Sequence, residues 1–193
     1  MDKKIYIGVD PGKDGFITIF DPQEVKHHFI EMPTEKLETG KTLKSGKPET
    51  KTQFSESKLK DIVFDISNKF KGYEKYAAIE LVTGRQGWSA QNNFAFGHTA
   101  GLQKMILIML GCDIIEVRPQ KWQSSVRQGY QEIKKPSSTG KTMVSDAKAI
   151  AEMIVENEFP DIDFRKTKKS KKNHDGKIDS FLICMHLYRT LNK

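Results

Sequence analysis

Short apolar runs separated by turn residues predict three consecutive β-strands at the start of the chain. Each run is rich in branched or aromatic side chains and is followed by Gly, Pro or Asp. The predicted strands are residues 5–10, 16–20 and 27–32. Because the connections are short, we expect an antiparallel meander.

The rest of the chain alternates helical and strand-like patterns. Apolar residues at helical spacing predict helices at about 55–71 and 92–110, and further helices after residues 118, 146 and 174. Apolar runs at 76–82 and 112–117 predict two more strands. The order favours one α/β domain over 1–193, with a five-stranded mixed sheet, its first three strands antiparallel, and helices on both faces.

Two polar stretches interrupt this pattern. Residues 34–54 contain two glycines, a proline and five lysines with almost no apolar residues, and we expect a mobile surface excursion there. Residues 128–142 are also polar and predict a loop. The role of the excursion from Lys36 to Lys51 stays open.

Composition adds a preference for an anionic partner. The 193 residues carry a net charge of +7 with a pI near 9.2, which favours a polyanion without identifying it. Cys112 and Cys184, the only cysteines, lie in apolar runs and are expected to be reduced core residues. Nothing approaches the roughly 20 apolar residues of a membrane span, so we expect a soluble, cytoplasmic protein without a membrane partner.

Four acidic residues stand where burial is expected. Asp10 ends the first strand, Glu80 lies in a central apolar strand, and Asp175 and Asp179 share one face of the last helix. Such carboxylates repel one another unless a cation offsets their charge. Mg²⁺ or Mn²⁺ prefers oxygen ligands, and two such ions about 4 Å apart can hydrolyse a phosphodiester. His174 beside them is a candidate proton donor or helix cap.

Each acid also has a structural interpretation. Asp10 alone is compatible with a turn residue, and Glu80 with the partner of a buried Lys or Arg. Asp175 alone is typical of a helix cap, and Asp179 of a solvated helix position. The four together, in this order, favour a metal site.

With these residues in place, the sequence resembles the RuvC-like Holliday junction resolvases, particularly short phage and prophage members. The resemblance covers nearly the whole chain and begins at IGVDPGKDGFITIF, which holds Asp10. It continues through Ile79-Glu80, Gln86-Gly87-Trp88-Ser89, Phe94-Ala95-Phe96-Gly97 with Gly101, Val117-Arg118-Pro119 with Trp122, the helix at Ala147 followed by Phe159-Pro160, and His174-Asp175-Gly176 with Asp179.

The resemblance implies an RNase H-like fold, two-metal-ion hydrolysis of DNA, and a homodimer that presents two active sites to a four-way junction for paired nicks. For a phage or prophage protein it also implies the cytoplasm of a bacterial host. Asp10, Glu80 and Asp179 match the family's acidic positions. Asp175 lies four residues before Asp179, whereas many members have a separation of three. The excursion at 36–51 has no counterpart that we recognise in the family.

Two segments are candidates for DNA contact. The glycine-flexible loop after Glu80 carries an aromatic residue, Trp88, that is expected either to stack on a base, worth about 1 to 3 kcal/mol, or to pack under the second helix. In the segment 165–172 six of eight residues are basic, and it precedes Asp175. The candidate DNA-contact residues are Arg85, Gln86, Trp88, Ser89, Lys141, Lys168, Lys169, Lys171 and Lys172.

Other functions are weighed against the junction nuclease. The same chemistry is compatible with a flap, a fork, or RNA as substrate, and a non-cleaving architectural protein is a further alternative. The string 138–142 resembles the end of a phosphate-binding loop, but Lys135 stands where a glycine is needed, so no nucleotide cofactor is expected. Actin-like ATPases share the first strand and turn but are far longer. The histidines and cysteines show no zinc spacing.

Overall fold

The computed structural model describes residues 3–84 and 86–193. Arg85, a candidate DNA contact, lies outside the described residues. In chain order the strands are β1 (Lys4–Val9), β2 (Phe16–Asp21), β3 (Lys26–Glu31), β4 (Thr34–Thr42), β5 (Pro48–Phe54), β6 (Glu74–Glu80), β7 (Asp113–Val117), β8 (Lys134–Pro136) and β9 (Met143–Ser145). The helices are α1 (Glu56–Lys69), α2 (Ala90–Met109), α3 (Pro119–Val126), α4 (Ala147–Glu158) and α5 (Asp175–Leu191).

A five-stranded mixed sheet forms the centre of the molecule, in the order β3-β2-β1-β6-β7. β2 runs antiparallel to both β1 and β3, whereas β6 is parallel to both β1 and β7. The predicted mixed α/β fold with a five-stranded sheet is therefore confirmed. Since β1 and β6 are parallel neighbours, their carboxyl ends meet at one edge of the sheet.

Two apolar cores cover the two faces of the sheet, because side chains alternate along each strand. On one face Ile5, Ile7 and Val9 of β1 belong to a buried cluster with residues of α1 and α2. On the other face Tyr6 belongs to a cluster with residues of α3, α4 and α5. The helices are thus divided between the two faces, as the sequence indicated.

Helix α5 packs directly against β1 at Gly8. A Cβ at this position would lie 2.2 Å from the carbonyl oxygen of Ser180 and 2.4 Å from the amide nitrogen of Cys184. The hydroxyl of Ser180 also makes a 2.8 Å hydrogen bond with that of Thr18 in the neighbouring strand. This close approach fixes the position of the helix that carries Asp179.

Two segments expected to lack regular structure are hairpins instead. β4 and β5 pair antiparallel over the stretch predicted as an excursion, and β8 and β9 pair within and beyond the predicted loop at 128–142. Most residues of these strands are exposed. Because neither hairpin buries one whole face, its sequence lacks the apolar alternation that predicts a strand.

The remaining expectations concern the cysteines and the membrane. Cys184 is buried, Cys112 is half-buried, and both are free thiols. Within residues 3–84 and 86–193, no helix is both long enough and apolar enough to span a membrane.

Candidate active site

The four predicted carboxylates line one cleft of about 960 Å³ at the carboxyl ends of β1 and β6. Asp10 directly follows β1, Glu80 ends β6, and Asp175 and Asp179 lie in the first two turns of α5. His174, Trp88 and Lys172 line the same cleft. The lining also includes residues that the sequence did not indicate as site residues, namely Lys13, Asp14, Asn92, Phe96, Thr99, Lys148, Glu152 and Asn173.

Two glycines let the start of α5 approach the turn after β1. A Cβ at Gly176 would lie 2.4 Å from the carbonyl oxygen of Asp14 and 3.0 Å from Oδ2 of Asp10. A Cβ at Gly15 would lie 2.1 Å from the carbonyl oxygen of Asp10. Any larger residue at either position would force the backbone apart, so these glycines hold Asp10 close to the first turn of α5.

Asp179 is the most perturbed of the four acids. Burial and then the negative charges of Glu80 and Asp175 together raise the pKa of its carboxyl to about 7, against the smaller opposing effects of Lys148 and Arg127. A carboxyl group in this state is ready to lose its proton when a cation approaches. The perturbation also marks the cleft as a candidate catalytic site.

Lys148 supplies a positive charge that sequence analysis missed. Its ammonium forms an ion pair and hydrogen bond with Oδ2 of Asp175. The hydrogen bond to Asp175 is the largest cause of the raised pKa of Lys148, and Asp179 and Asp146 contribute through their charges. Lysine in the first turn of an amphipathic helix is typical of a solvated position, so only the packing of α4 against α5 identifies it.

Trp122 orients the carboxylate of Glu80. The residue is buried, as expected for a packing anchor, and its indole Nε1 donates a 2.9 Å hydrogen bond to Oε2 of Glu80. A smaller cavity of about 320 Å³ lies next to this bond, bounded by Asp10, Glu80, Asp179 and Lys148 among others. The indole supplies a contact for Glu80 that differs from the Lys or Arg ion pair considered from the sequence.

His174 occupies the N-cap position of α5, but its side chain makes no capping hydrogen bond. Its ring lies edge-on to Phe16, with ring centroids 5.1 Å apart. Burial lowers the pKa of the imidazole, and the nearby charge of Lys166 lowers it further. Nδ1 is buried and has no hydrogen-bond partner among the described residues. His174 is therefore neutral near pH 7.

The donor chemistry of the cleft suits a hard divalent cation, since four carboxylates supply oxygen ligands. In the described part of the chain, however, no three acidic, histidine or cysteine side chains are already gathered as a metal-binding group. Protein groups already contact carboxylates of the cleft: Asp175 pairs with Lys148, and Glu80 accepts a hydrogen bond from Trp122. A cation that binds Asp175 would therefore compete with the ammonium of Lys148.

The candidate DNA-contact residues differ in their position relative to the cleft. Trp88 is 44% exposed at the cleft, and its ring contacts that of Phe96 with centroids 5.7 Å apart, so it combines packing with an accessible aromatic face. Ser89 has a structural role, because its hydroxyl accepts a 3.2 Å hydrogen bond from the amide of Asn92 and caps α2. Lys172 lines the cleft, whereas the candidates outside its lining, besides Ser89, are Gln86, Lys141, Lys168, Lys169 and Lys171, all exposed.

Comparisons with known proteins give structural likenesses only. No family model matches the sequence, and no curated protein matches it. A structure of T. thermophilus RuvC in complex with Holliday junction substrate is 8% identical, with a TM-score of 0.48 and coverage of 97% of this chain and 96% of that one. A second Thermus thermophilus RuvC structure is 13% identical over the same coverage, with a TM-score of 0.47.

The ethanolamine utilization protein EutJ from Carboxydothermus hydrogenoformans is more distant. It is 10% identical, with a TM-score of 0.33, and the match covers 69% of this chain and 43% of that one. At these identities and TM-scores, the likenesses assign the chain to no family and no activity.

Proposed function

We propose that this chain is a metal-dependent endonuclease of the RNase H-like, RuvC type that cleaves branched DNA, with the four-way junction as its substrate. The observation that carries the proposal is the convergence of Asp10, Glu80, Asp175 and Asp179 on one cleft from three separate elements. The motifs around these acids, which resemble those of the RuvC-like resolvases, give the substrate class.

In this proposal the four carboxylates hold Mg²⁺ or Mn²⁺, as two ions. When bound, such ions supply an activated water for attack on the phosphodiester and stabilise the leaving oxygen. Trp122 Nε1 holds Glu80 in place, while Gly176 keeps Asp10 beside the first turn of α5. The pKa of Asp179, about 7, is raised by burial and by two neighbouring carboxylates. A bound cation would offset these effects, so Asp179 would lose its proton when the cation binds.

The cleft also offers groups for binding a phosphate backbone and for proton transfer. Lys13, Lys148 and Lys172 place positive charge on its lining, where they would offset the phosphate charge. His174 also lines the cleft, but its lowered pKa leaves the ring neutral near pH 7, and a neutral imidazole accepts a proton instead of giving one, so His174 could serve as proton donor to the leaving oxygen only once it has been protonated. Trp88 offers an accessible ring for stacking on an unpaired base.

The proposal includes a homodimer, because a four-way junction has two equivalent strands to cut. Large apolar side chains of α2 are 52 to 76% exposed, namely Phe94, Met105, Ile108 and Met109. Exposed apolar residues on a single helix are typical of a protein interface. A second copy packed on α2 would bury them.

The experiment that tests the proposal compares substrates in parallel. Purified protein is incubated with labelled four-way junction, flap, fork, linear duplex and RNA hairpin in Mg²⁺ or Mn²⁺, and products are resolved on denaturing gels. The proposal expects the junction to be nicked on paired strands faster than any other substrate. Faster cleavage of a flap, fork or RNA would reassign the substrate, and tight junction binding without any product would favour the architectural alternative.

A further inference from the structure

The β4–β5 hairpin lies outside the cleft, and the site described above gives it no role. β4 contains nine residues, so at about 3.3 Å per residue the tip stands roughly 25 to 30 Å from the base. Its register shifts between Glu38 and Thr42, around Gly40, which has a φ of 76°. Such a bulge bends and twists a two-stranded ribbon. The hairpin is thus an exposed, curved arm.

The base of this arm is joined to the rim of the cleft. Lys13, which lines the cleft, donates from its Nζ to the carbonyl oxygen of Thr52 at 3.0 Å. The amide of Met32, just before the hairpin, donates to the carbonyl oxygen of Gly15 at 3.2 Å, and that of Ser55, just after it, donates to Pro33 at 2.8 Å. The arm therefore leaves the sheet at the same edge as the carboxylates.

Charge is unevenly distributed along the arm. The three acids of the arm, Glu35, Glu38 and Glu49, belong to its stem. There Glu49 accepts a hydrogen bond from Thr39, and Glu35 accepts hydrogen bonds from Gln53 and Ser55. The tip, residues 39–48, contains Lys41, Lys44 and Lys47 and no acid. None of the ion pairs found in residues 3–84 and 86–193 includes a lysine of the hairpin. These ammonium groups are available to an external anion.

The backbone of the tip suits close approach to a phosphate chain. Two 2.9 Å hydrogen bonds close a tight turn there. The amide of Leu43 donates to the carbonyl oxygen of Lys47, and the amide of Gly46 donates to the carbonyl oxygen of Leu43. Besides the lysines, Leu43 and Pro48, the tip consists of Gly, Ser and Thr, which are small or carry a hydroxyl donor. A two-stranded β-ribbon also has the width that a DNA groove admits.

We propose that the β4–β5 hairpin is a DNA-binding arm whose lysine-rich tip contacts the phosphate backbone of duplex DNA outside the cleft. The inference deepens the proposed function, on which it rests for the identity of the nucleic acid. The arm would hold a duplex segment whose branch point lies at the carboxylates. Its contacts are electrostatic and independent of sequence, so they should be strongly salt-dependent.

The test measures DNA binding as a function of salt. Full-length protein in an Asp10→Asn background is titrated onto fluorescent duplex and junction DNA, with anisotropy as the readout. The hairpin variant carries K41Q, K44Q and K47Q. The matched control carries K3Q, K71Q and K193Q, which remove the same charge at the opposite edge of the sheet, where β1 and β6 begin and α5 ends.

The hairpin variant should bind duplex DNA about tenfold or more weakly near 100 mM salt. The slope of log affinity against log salt should fall by about 2 to 3, because each lost phosphate contact contributes roughly 0.9. The control should change far less, and K41R/K44R/K47R should bind as the unsubstituted hairpin does. Single K41Q, K44Q and K47Q variants should each lower the slope of log affinity against log salt by about 0.9. A stepwise change of this kind indicates the loss of individual phosphate contacts and not the unfolding of the hairpin.

Equal affinity and slope for the hairpin variant and the control would overturn the inference. Junction cleavage by the unsubstituted chain is followed in the same series. If the unsubstituted chain does not cleave but the hairpin variant still loses duplex affinity, the proposed nuclease function is wrong and the DNA-binding role of the hairpin is supported. If the unsubstituted chain cleaves and the hairpin variant binds like the control, the DNA-binding role is wrong and the nuclease function is supported.

Discussion

At the scale of single residues, the four acids have different surroundings within one cleft. Burial and acidic neighbours raise the pKa of Asp179 to about 7, whereas Asp175 pairs with Lys148. Glu80 accepts a hydrogen bond from Trp122, and Asp10 lies against the Gly176 turn. These differences give each acid its own expected response to substitution, pH and metal.

The raised pKa of Asp179 predicts a pH-dependent stability of the metal-free protein. Below the ordinary carboxyl pKa both the folded and the unfolded states hold the proton. As pH rises from about 4 to 7 only the folded state keeps it, so stability falls across this window. Asp179→Asn removes the carboxyl group whose ionisation costs stability in the folded state. It should therefore raise the free energy of unfolding by about 2 to 4 kcal/mol at pH 7.5 but little at pH 4.

Thermal unfolding in EDTA across this pH range measures the effect. Asp65→Asn, at an exposed position of α1, is the control and should leave the pH profile unchanged. A difference between Asp179→Asn and the unsubstituted protein that is constant from pH 4 to 7.5 would show that Asp179 does not titrate as described.

Lys148 should compete with a divalent cation for Asp175. Lys148→Met frees that carboxylate, so Mn²⁺ should bind several-fold more tightly in calorimetric titrations. The ion pair is more than half exposed, so the loss of folding stability should stay below about 1 kcal/mol. Lys135→Met, which breaks a similar pair with Asp146 away from the cleft lining, should leave Mn²⁺ affinity unchanged. Weaker Mn²⁺ binding by Lys148→Met would mean that the lysine orients Asp175 for the metal.

Trp122→Phe tests the orientation of Glu80. The change keeps an aromatic ring but removes the Nε1 donor to the carboxylate, an interaction with a charged group worth about 1.5 to 3 kcal/mol. We expect a similar loss in the free energy of unfolding, and a higher Mg²⁺ concentration for half-maximal cleavage. An unchanged Mg²⁺ dependence would assign Trp122 to packing alone.

The sequence pointed to the four acids that line the cleft but not to the groups that surround them. Asp10, Glu80 and Asp179 were recognisable because a carboxylate in an apolar pattern needs a reason to be there. Lys148 and Lys13 lie in ordinary polar surroundings along the chain, and only the packing of α4 and the course of the hairpin bring them to the acids. Tertiary contacts of this kind leave no local signal.

At the scale of elements, the same limit explains the two hairpins. The central strands were predictable because each buries at least one face, which imposes an apolar pattern. β4 and β5 have both faces exposed along most of their length, so their Thr, Lys and Glu residues have the composition of a loop. What holds these strands is their mutual backbone pairing and the anchors at their base.

Helix α2 makes a prediction about assembly. If its exposed apolar side chains form the dimer interface, Ile108→Glu combined with Met109→Glu should convert the dimer into a monomer in sedimentation velocity. A charge buried in an interface without a partner destabilises it by several kcal/mol. Phe64→Glu, at a comparably exposed apolar position of α1, should leave the dimer intact. A monomeric unsubstituted protein at micromolar concentration would contradict the assignment.

At the scale of the whole molecule, the topology brings the functional groups to one edge. The parallel pairing of β1 and β6 places Asp10 and Glu80 side by side, and α5 crosses β1 at Gly8 so that its first turns reach the same point. The hairpin base and the basic segment before α5 flank this edge, where Lys166 pairs with Glu31 at the end of β3. One side of the molecule thus carries both the acids and the positive charge that the proposed DNA cleavage would use.

Cleavage of a synthetic four-way junction under single-turnover conditions tests the central claim most directly. Each strand is labelled in turn, and the unsubstituted protein is compared with Asp10→Asn in Mg²⁺ and in EDTA. Paired nicks near the branch point that require Mg²⁺ and disappear in Asp10→Asn are the predicted result. Equal cleavage by Asp10→Asn, or no product from folded, junction-binding protein in either Mg²⁺ or Mn²⁺, would contradict it.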